Sequence, residues 1–527
     1  MAPEKKGSAI RRESPIYSVR MVWLIPPINH WIPGQLFRHA QLESVKAWLG
    51  DPTHQAQPRH VRVQRAIRQL ILDGALDAGR PLPASRALAR SLGVSRDTVE
   101  AAYGQLHAEG FIERRVGSGS FVSAQALRLP RRPPSLRPDQ PAAALSRRGS
   151  AMLAGGGVRE SLTARPFAPG IPETRNFPLA VWERLQRQVL KEHGARALGH
   201  CHPHGMESLR QAIADYINLE RGARATPERI LVLTSSQQAL SLCAMVLLDV
   251  GERICVEDPV YHGARKAFDA AGLDCVPIPL DGDGMQVGHL DAVANARAVF
   301  LTPSHQFPSG TTLSLARRLA VIDWARRKQA WIIEDDYDSE FHYAGKPTAC
   351  VQGLDDEQRT IYIGTFTKSL FPGLRIAYIL LPPALVAPMT VARSLQDGHN
   401  ATIAQLTLAR FIESGHFGAH VRAMRSVYAA RRDRLARLVE EHLGDFVAAA
   451  VPAGGMQMPC FLHAGVDETQ ALTAAQRAGI ELLGLSPLSG SGSGRPGFLM
   501  GFAAYTPDEM EKAARTLAAV FQNLVAQ

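Results

Sequence analysis

Between residues 229 and 382, six short apolar runs alternate with stretches of helical periodicity. The runs are "RILVLT", "RICVEDP", "AVFLTP", "AWIIEDD", "TIYIGTF" and "RIAYILLP"; the helical stretches include "SSQQALSLCAMVLLD" and "LARRLAVIDWARRK". Short, mostly β-branched runs bounded by turn residues read as strands. Strands alternating with helices predict an α/β body with a largely parallel sheet covered on both faces. Ligands in such sheets sit at the carboxyl ends of the strands, so the residues ending these runs are the first candidates for chemistry.

Those ends are chemically distinctive. Ser235, Ser236 and Gln237 follow the first run and open a helix, where hydroxyls and free N–H groups suit a phosphate. Asp335 and Asp336 close the fourth run, with Tyr337 next. Lys368 follows the fifth in "GTFTKSLFPGLR", close to Thr365 and Thr367 and ahead of Arg375. Tyr261 stands in "EDPVYHGAR". Singly these are a surface lysine, a helix cap, a half-buried tyrosine. Together they suit pyridoxal phosphate. Its aldehyde needs a lysine amine and its ring nitrogen a carboxylate. Its phosphate needs hydroxyls, N–H groups and an arginine fork, and its ring a flat aromatic neighbour.

With these motifs in place, residues from about 165 to 525 resemble a fold-type I aminotransferase domain with a smaller carboxyl-terminal α+β subdomain. The resemblance implies that Lys368 carries the cofactor, Asp335 faces the ring nitrogen, Tyr337 touches the ring oxygen and Tyr261 stacks on the ring. It assigns the phosphate to Ser235, Ser236, Gln237, Thr365 and Arg375, with Thr367 and His305 also counted among the cofactor contacts. The chain departs from that family in "SHQFPSG", where Phe307 stands at a usual asparagine; His305 or Gln306 supplies the missing polar contact, or nothing does. His200, in "LGHCHPHG", stands where a tyrosine usually reaches the partner subunit's phosphate. Arg495, in "SGSGRPGFLMGFA", is the candidate clamp for an effector carboxylate. His200, Cys201, His202 and His204 have metal-ligating types, but the family match already accounts for their loop, so no metal is expected.

Residues 58–123 read differently. "VQRAIRQLILDGAL", "LPASRALARSLGV" and "SRDTVEAAYGQLHAEG" are three helices, the last capped by Ser95, and "FIERRVGSGSFVS" is a hairpin. This stretch resembles the winged helix-turn-helix (α+β) of GntR-type regulators. Its third helix would enter the major groove, with Arg86, Ser95, Arg96 and Thr98 near phosphates or base edges. Gly117 and Gly119 would let the wing approach the DNA backbone. Charge agrees: residues 1–150 hold 23 Lys and Arg against 11 Asp and Glu, the remainder 36 against 38. A basic third beside a near-neutral body points to a polyanion.

The 527 residues are thus expected to form a multidomain chain. The expected order is an unassigned extension (1–57), the winged helix (58–123), a Pro- and Arg-rich linker (124–160) and the aminotransferase-like body (161–527). Six scattered cysteines without a C-x-x-C pair fit a reducing cytoplasm, and no apolar run is long enough to span a membrane. "MVWLIPPINHWIP" lacks a following cleavage site, so no signal peptide is expected. The combination resembles the MocR/GabR regulators. That resemblance implies a cytoplasmic homodimer, often head to tail, that binds double-stranded DNA and senses a small amine or amino acid through pyridoxal phosphate. The alternative is a working aminotransferase that carries a DNA-binding module.

Overall fold

Each unit of the chain is built where turn residues interrupt a continuous apolar pattern. The computed structural model describes residues 42–43, 45–47, 49–50, 57–125, 145–158, 165–344, 348–492 and 494–525. They divide into two units, Met1–Ala143 and Ala144–Gln527. Most of the expected extension, and residues 126–144 and 159–160 of the expected linker, lie outside the described residues.

In the first unit α1 is Arg59–Leu72, α2 Ser85–Leu92 and α3 Arg96–Ala108, followed by β1 (Ile112–Arg115) and β2 (Gly119–Val122). Gly93 ends α2 in the left-handed region, at φ 65°, which a residue without Cβ enters freely. Two residues later the Ser95 hydroxyl accepts from the Thr98 N–H at 3.1 Å and starts α3. The hairpin pairs Ile112 with Val122. Val63, Ile67, Leu88, Val99, Leu106, Ile112 and Val122 form the core. Val45, upstream of the expected boundary at 58, is buried in the same core.

The second unit carries a mixed sheet. Its strands are β3 (Ile230–Leu233), β4 (Arg253–Asp258), β5 (Asp274–Asp281), β6 (Gly284–Met285), β7 (Ala296–Leu301), β8 (Trp331–Asp336), β9 (Thr360–Thr365) and β10 (Ala377–Leu380). Their order is β3-β10-β9-β8-β7-β4-β5-β6. The central strands β9, β8, β7, β4 and β5 are parallel, as the sequence predicts. β10 runs antiparallel to both its neighbours, and β6 to β5. The reason for β10 is length: one helical turn, Phe366–Ser369, and a bend at Pro372–Leu374 join it to β9, too little chain for a parallel crossover. Lys368 therefore sits in a tight connection at the carboxyl end of β9. Alternate residues cover the two faces, Leu231 and Leu233 packing on one side, Ile230 and Val232 on the other.

A smaller antiparallel sheet follows: β11 (Val447–Ala449), β12 (Gln457–Leu462), β13 (Leu483–Gly484) and β14 (Gly497–Gly501), in the order β11-β12-β14-β13. Helices Glu468–Arg477 and Pro507–Val525 accompany it. A further helix, Arg147–Gly155, occupies part of the expected linker; the Ser146 hydroxyl caps it, accepting from the Gly149 N–H at 3.0 Å. Among the described residues no helix is long and apolar enough to cross a membrane, and the six cysteines are unpaired.

Gly501 tests how tightly the chain entering the body is held. A Cβ there would lie 2.1 Å from the Ala168 carbonyl oxygen, a backbone atom with no room to yield. Gly501→Ala is expected to destabilise the protein by about 1–3 kcal/mol. Gly282, with nothing within reach of its Cβ, should tolerate alanine to within about 0.5 kcal/mol. Denaturant melts of the two variants check this.

Candidate functional site

Neighbouring residues on a strand face opposite ways, and the two aspartates ending β8 end differently. Burial acts against the Asp336 carboxylate, but the Arg221 guanidinium (Nε at 2.8 Å) and the Tyr362 hydroxyl (2.7 Å) outweigh it and hold its pKa below the ordinary value. Asp335 is 3% exposed, and its Oδ1, like Asp336 Oδ1 and Asp338 Oδ2, has no hydrogen-bond partner among the described residues. Burial, helped by the charges of Asp336 and Asp338, pushes its carboxyl up to about 7, while the Lys368 ammonium pulls the other way. A buried carboxyl oxygen left without a donor is costly and rare in native folds.

Lys368 stands on the single turn after β9. Thr365 caps that turn by accepting from the Thr367 N–H at 3.2 Å, and its own hydroxyl donates to Thr367 Oγ1 at 3.1 Å. The Lys368 Nζ donates to the Gly170 carbonyl at 2.7 Å. Gly170 has φ 72°, and a Cβ there would lie 3.0 Å from that nitrogen. The Gly170 segment is pinned to the smaller sheet. Gly501 N–H donates to the Phe167 carbonyl at 2.8 Å, and the Glu173 carboxylate accepts from Arg175 and Arg431, both at 2.8 Å.

The other expected residues gather at neighbouring strand ends. Ser235 caps the helix Ser236–Leu247 by accepting from the Gln238 N–H, 3.2 Å away. Gln237 donates to the Gly263 carbonyl at 2.7 Å and leaves its Oε1 buried without a partner among the described residues. Tyr261 precedes the helix His262–Ala271 and meets Phe307 edge-on at 5.3 Å. The Tyr337 hydroxyl donates to the His305 carbonyl at 3.1 Å. Arg375 sits beyond the Lys368 turn with φ 52° and an exposed side chain.

The structure also separates some expected partners. His305 Nδ1 is hydrogen-bonded to Asp338 at 2.8 Å, and its other edge packs on Gly454. Gln306 spends its amide on the Pro259 and Phe307 carbonyls and its oxygen on Ser309. Both side chains are thus committed to other partners, and Phe307 presents an apolar ring at the asparagine position. Arg495 is exposed, its guanidinium 4.3 Å from the Phe461 ring centroid. His200 is exposed and pairs with His399 at 3.1 Å. No three His, Cys, Asp or Glu side chains among the described residues converge as a metal site.

Sequence reasoning missed Gly170, His262, Asp338 and Gln457. Burial and the charges of Lys266 and Lys368 lower the His262 pKa, and its Nδ1 has no partner among the described residues. Only adjacency to Tyr261 and Asp336 could have suggested His262 and Asp338.

In the first unit, Arg86, Ser95 and Arg96 are exposed and Thr98 half-buried, near the turn between α2 and α3. Gly117 and Gly119 stand at the hairpin tip with φ 77° and 100°. Arg114 donates to the Glu100 carbonyl at 3.2 Å, tying the hairpin to α3, and Arg115 lies 4.5 Å from the Phe121 ring.

Comparison with known proteins covers both units. Residues 171–517 match the family model for aminotransferase class I and II, and residues 60–122 that for bacterial regulatory proteins of the gntR family. The probable rhizopine catabolism regulatory protein MocR of Rhizobium meliloti is 34% identical over 474 residues, 88% of this chain and 94% of that protein. The pyridoxine biosynthesis transcriptional regulator PdxR of Corynebacterium glutamicum is 30% identical over 465 residues, 87% of this chain and 94% of that protein. Among solved structures, the multiple substrate aminotransferase of Thermococcus profundus aligns with a TM-score of 0.65 and 27% identity, over 72% of this chain and 97% of its own.

Proposed function

The chain belongs to the MocR-type transcriptional regulators, a GntR-type winged helix joined to an aminotransferase-like body, and we propose that the body senses a small amine or amino acid through pyridoxal phosphate. The observation that carries this reading is Asp335: a buried carboxyl with an unpartnered oxygen, close enough to Lys368 to feel its charge.

The residues present fit that cofactor. Lys368 would hold its aldehyde end, and Asp335 would keep a proton on the ring nitrogen. Tyr261 would cover the ring and Tyr337 would meet the ring oxygen. Ser235, Ser236, Gln237, Thr365, Thr367 and Arg375 would take the phosphate. Bound there, pyridoxal phosphate supplies an aldehyde that captures amines and a ring that withdraws electrons. The chain's own part is to orient the amine, keep Asp335 ionised and exclude water. An effector then changes DNA binding only by as much as it prefers one arrangement of the protein over another. The family resemblance supports a homodimer, in which two copies of α3 would meet half-sites related by two-fold symmetry.

Footprinting the full chain on the DNA upstream of its own gene, with and without cofactor and amines, tests this. Protection that responds to amines only in the presence of cofactor supports it; protection indifferent to both refutes it. Arg96→Ala is expected to cost about 1–3 kcal/mol of operator binding in gel shifts, with cofactor uptake unchanged. The aminotransferase structures that the body resembles favour a second reading, an enzyme with an attached DNA-binding module. Sustained turnover of amino and keto acids at about one per second or faster would select it.

A further inference from the structure

β14 and β12 share a clean division of faces. Phe498 and Met500 of β14, with Met458 and Cys460 of β12, point into the core of the smaller subdomain. The opposite face carries Leu499, directly across from Pro459, with Gln457 and Phe461 along the same edge. That second face lies against the cofactor cleft. Gln457 hydrogen-bonds Tyr337 and lies near Gly170, whose carbonyl receives Lys368. Leu499, Leu485 and Leu488 are buried against Phe307 from the large sheet, and Tyr261 and Tyr337 pack on the same cluster. The wall is held shut where Val260 N–H donates to the Leu488 carbonyl at 3.0 Å and Gly490 N–H to Asp258 at 2.7 Å.

Among the described residues no buried arginine or lysine is bonded at the Leu499–Phe307 cluster, and Arg495 reaches only its rim. The polar side chain on its face is Gln457, and Arg495, the sequence candidate for a carboxylate clamp, is exposed on the Phe461 ring. A carboxylate brought against Leu499 and Phe307 would lose its water and gain no counter-charge. An aliphatic or aromatic group would gain from burial in the same place. We infer that Leu499, with Phe307, makes the cleft selective for amines with an apolar body and no α-carboxylate. This rests on the regulatory reading above and narrows its effector class.

Isoamylamine and L-leucine form a matched pair, differing by the carboxylate alone. The cofactor-loaded full chain is titrated with each, following cofactor absorbance and thermal melting. Isoamylamine should half-saturate the change at a concentration roughly 10- to 100-fold lower than L-leucine. Leu499→Arg should invert that order, and Leu499→Ala should weaken isoamylamine while leaving L-leucine unchanged. Melting curves show whether each variant is folded. Equal or better response to L-leucine, response to neither probe, or variants that leave the ratio unchanged would overturn the inference. A chain that takes up no borohydride-trappable cofactor would instead sink the regulatory reading.

Discussion

Lys368→Ala protein, incubated with pyridoxal phosphate and reduced with borohydride, should carry no covalently bound cofactor, whereas the parent chain should carry close to one per subunit. The expectation follows from the position of the amine. The connection between β9 and β10 is too short to move far, and Thr365 and Thr367 fix its single turn at the strand end. The Nζ is directed to the Gly170 carbonyl, and its charge reaches Asp335. Alanine removes the hydrogen bond to the Gly170 carbonyl from a half-buried site, a loss of about 1 kcal/mol, so the variant should fold and still bind operator DNA. What it should lose is every response to amines. Mass spectrometry of the reduced peptide and gel shifts on the same preparation read both effects.

Asp335→Asn carries the second large effect, with opposite signs in the two states of the protein. In the cofactor-free chain burial raises the folded pKa to about 7 from the ordinary 3.8, so folding favours the protonated acid. The cost of ionising it is absent below the unfolded pKa, grows as pH rises and is complete above about 7. Each tenfold weakening of the acid costs about 1.4 kcal/mol, and asparagine removes the whole of that cost. The cofactor-free variant should therefore melt several degrees above the parent at pH 8, by roughly 2–4 °C per kcal/mol, and the gain should vanish as pH falls toward 4. With cofactor the order should reverse. A protonated ring nitrogen facing a neutral amide loses a buried charge partner, and affinity should fall by about 3–5 kcal/mol. Melting and equilibrium dialysis at two pH values test both halves. An affinity unchanged by the substitution would remove Asp335 from the cofactor site.

Much of this is legible without any fold. β-branched runs separated by helical periodicity are enough for the large sheet, and the residues ending those runs are enough for Lys368, Asp335, Tyr261 and the hydroxyl group near Ser235. The antiparallel direction of β10 is also readable in principle, from the short connection around Lys368, but the strand pattern alone does not reveal it. What stays hidden depends on backbone or on distance. Gly170 reaches Lys368 through a carbonyl across 198 residues, and its residue type announces nothing. Val45 joins the winged-helix core with Leu42 and Leu49, a helical spacing (i, i+3, i+7) that lies upstream of the boundary expected at 58. Arg495 reads as a clamp because it is the arginine nearest to β14. Leu499, inside β14, is the residue buried against Phe307, whereas Arg495 precedes the strand and stays exposed on the Phe461 ring.

The central claim is that chemistry at Lys368 governs the DNA-binding head. It is tested most directly by operator affinity measured with and without isoamylamine, in the cofactor-loaded parent, the cofactor-free parent and Lys368→Ala. A shift confined to the loaded parent is the predicted result. The same shift in all three proteins would contradict the claim, because the amine would then be acting somewhere other than the lysine.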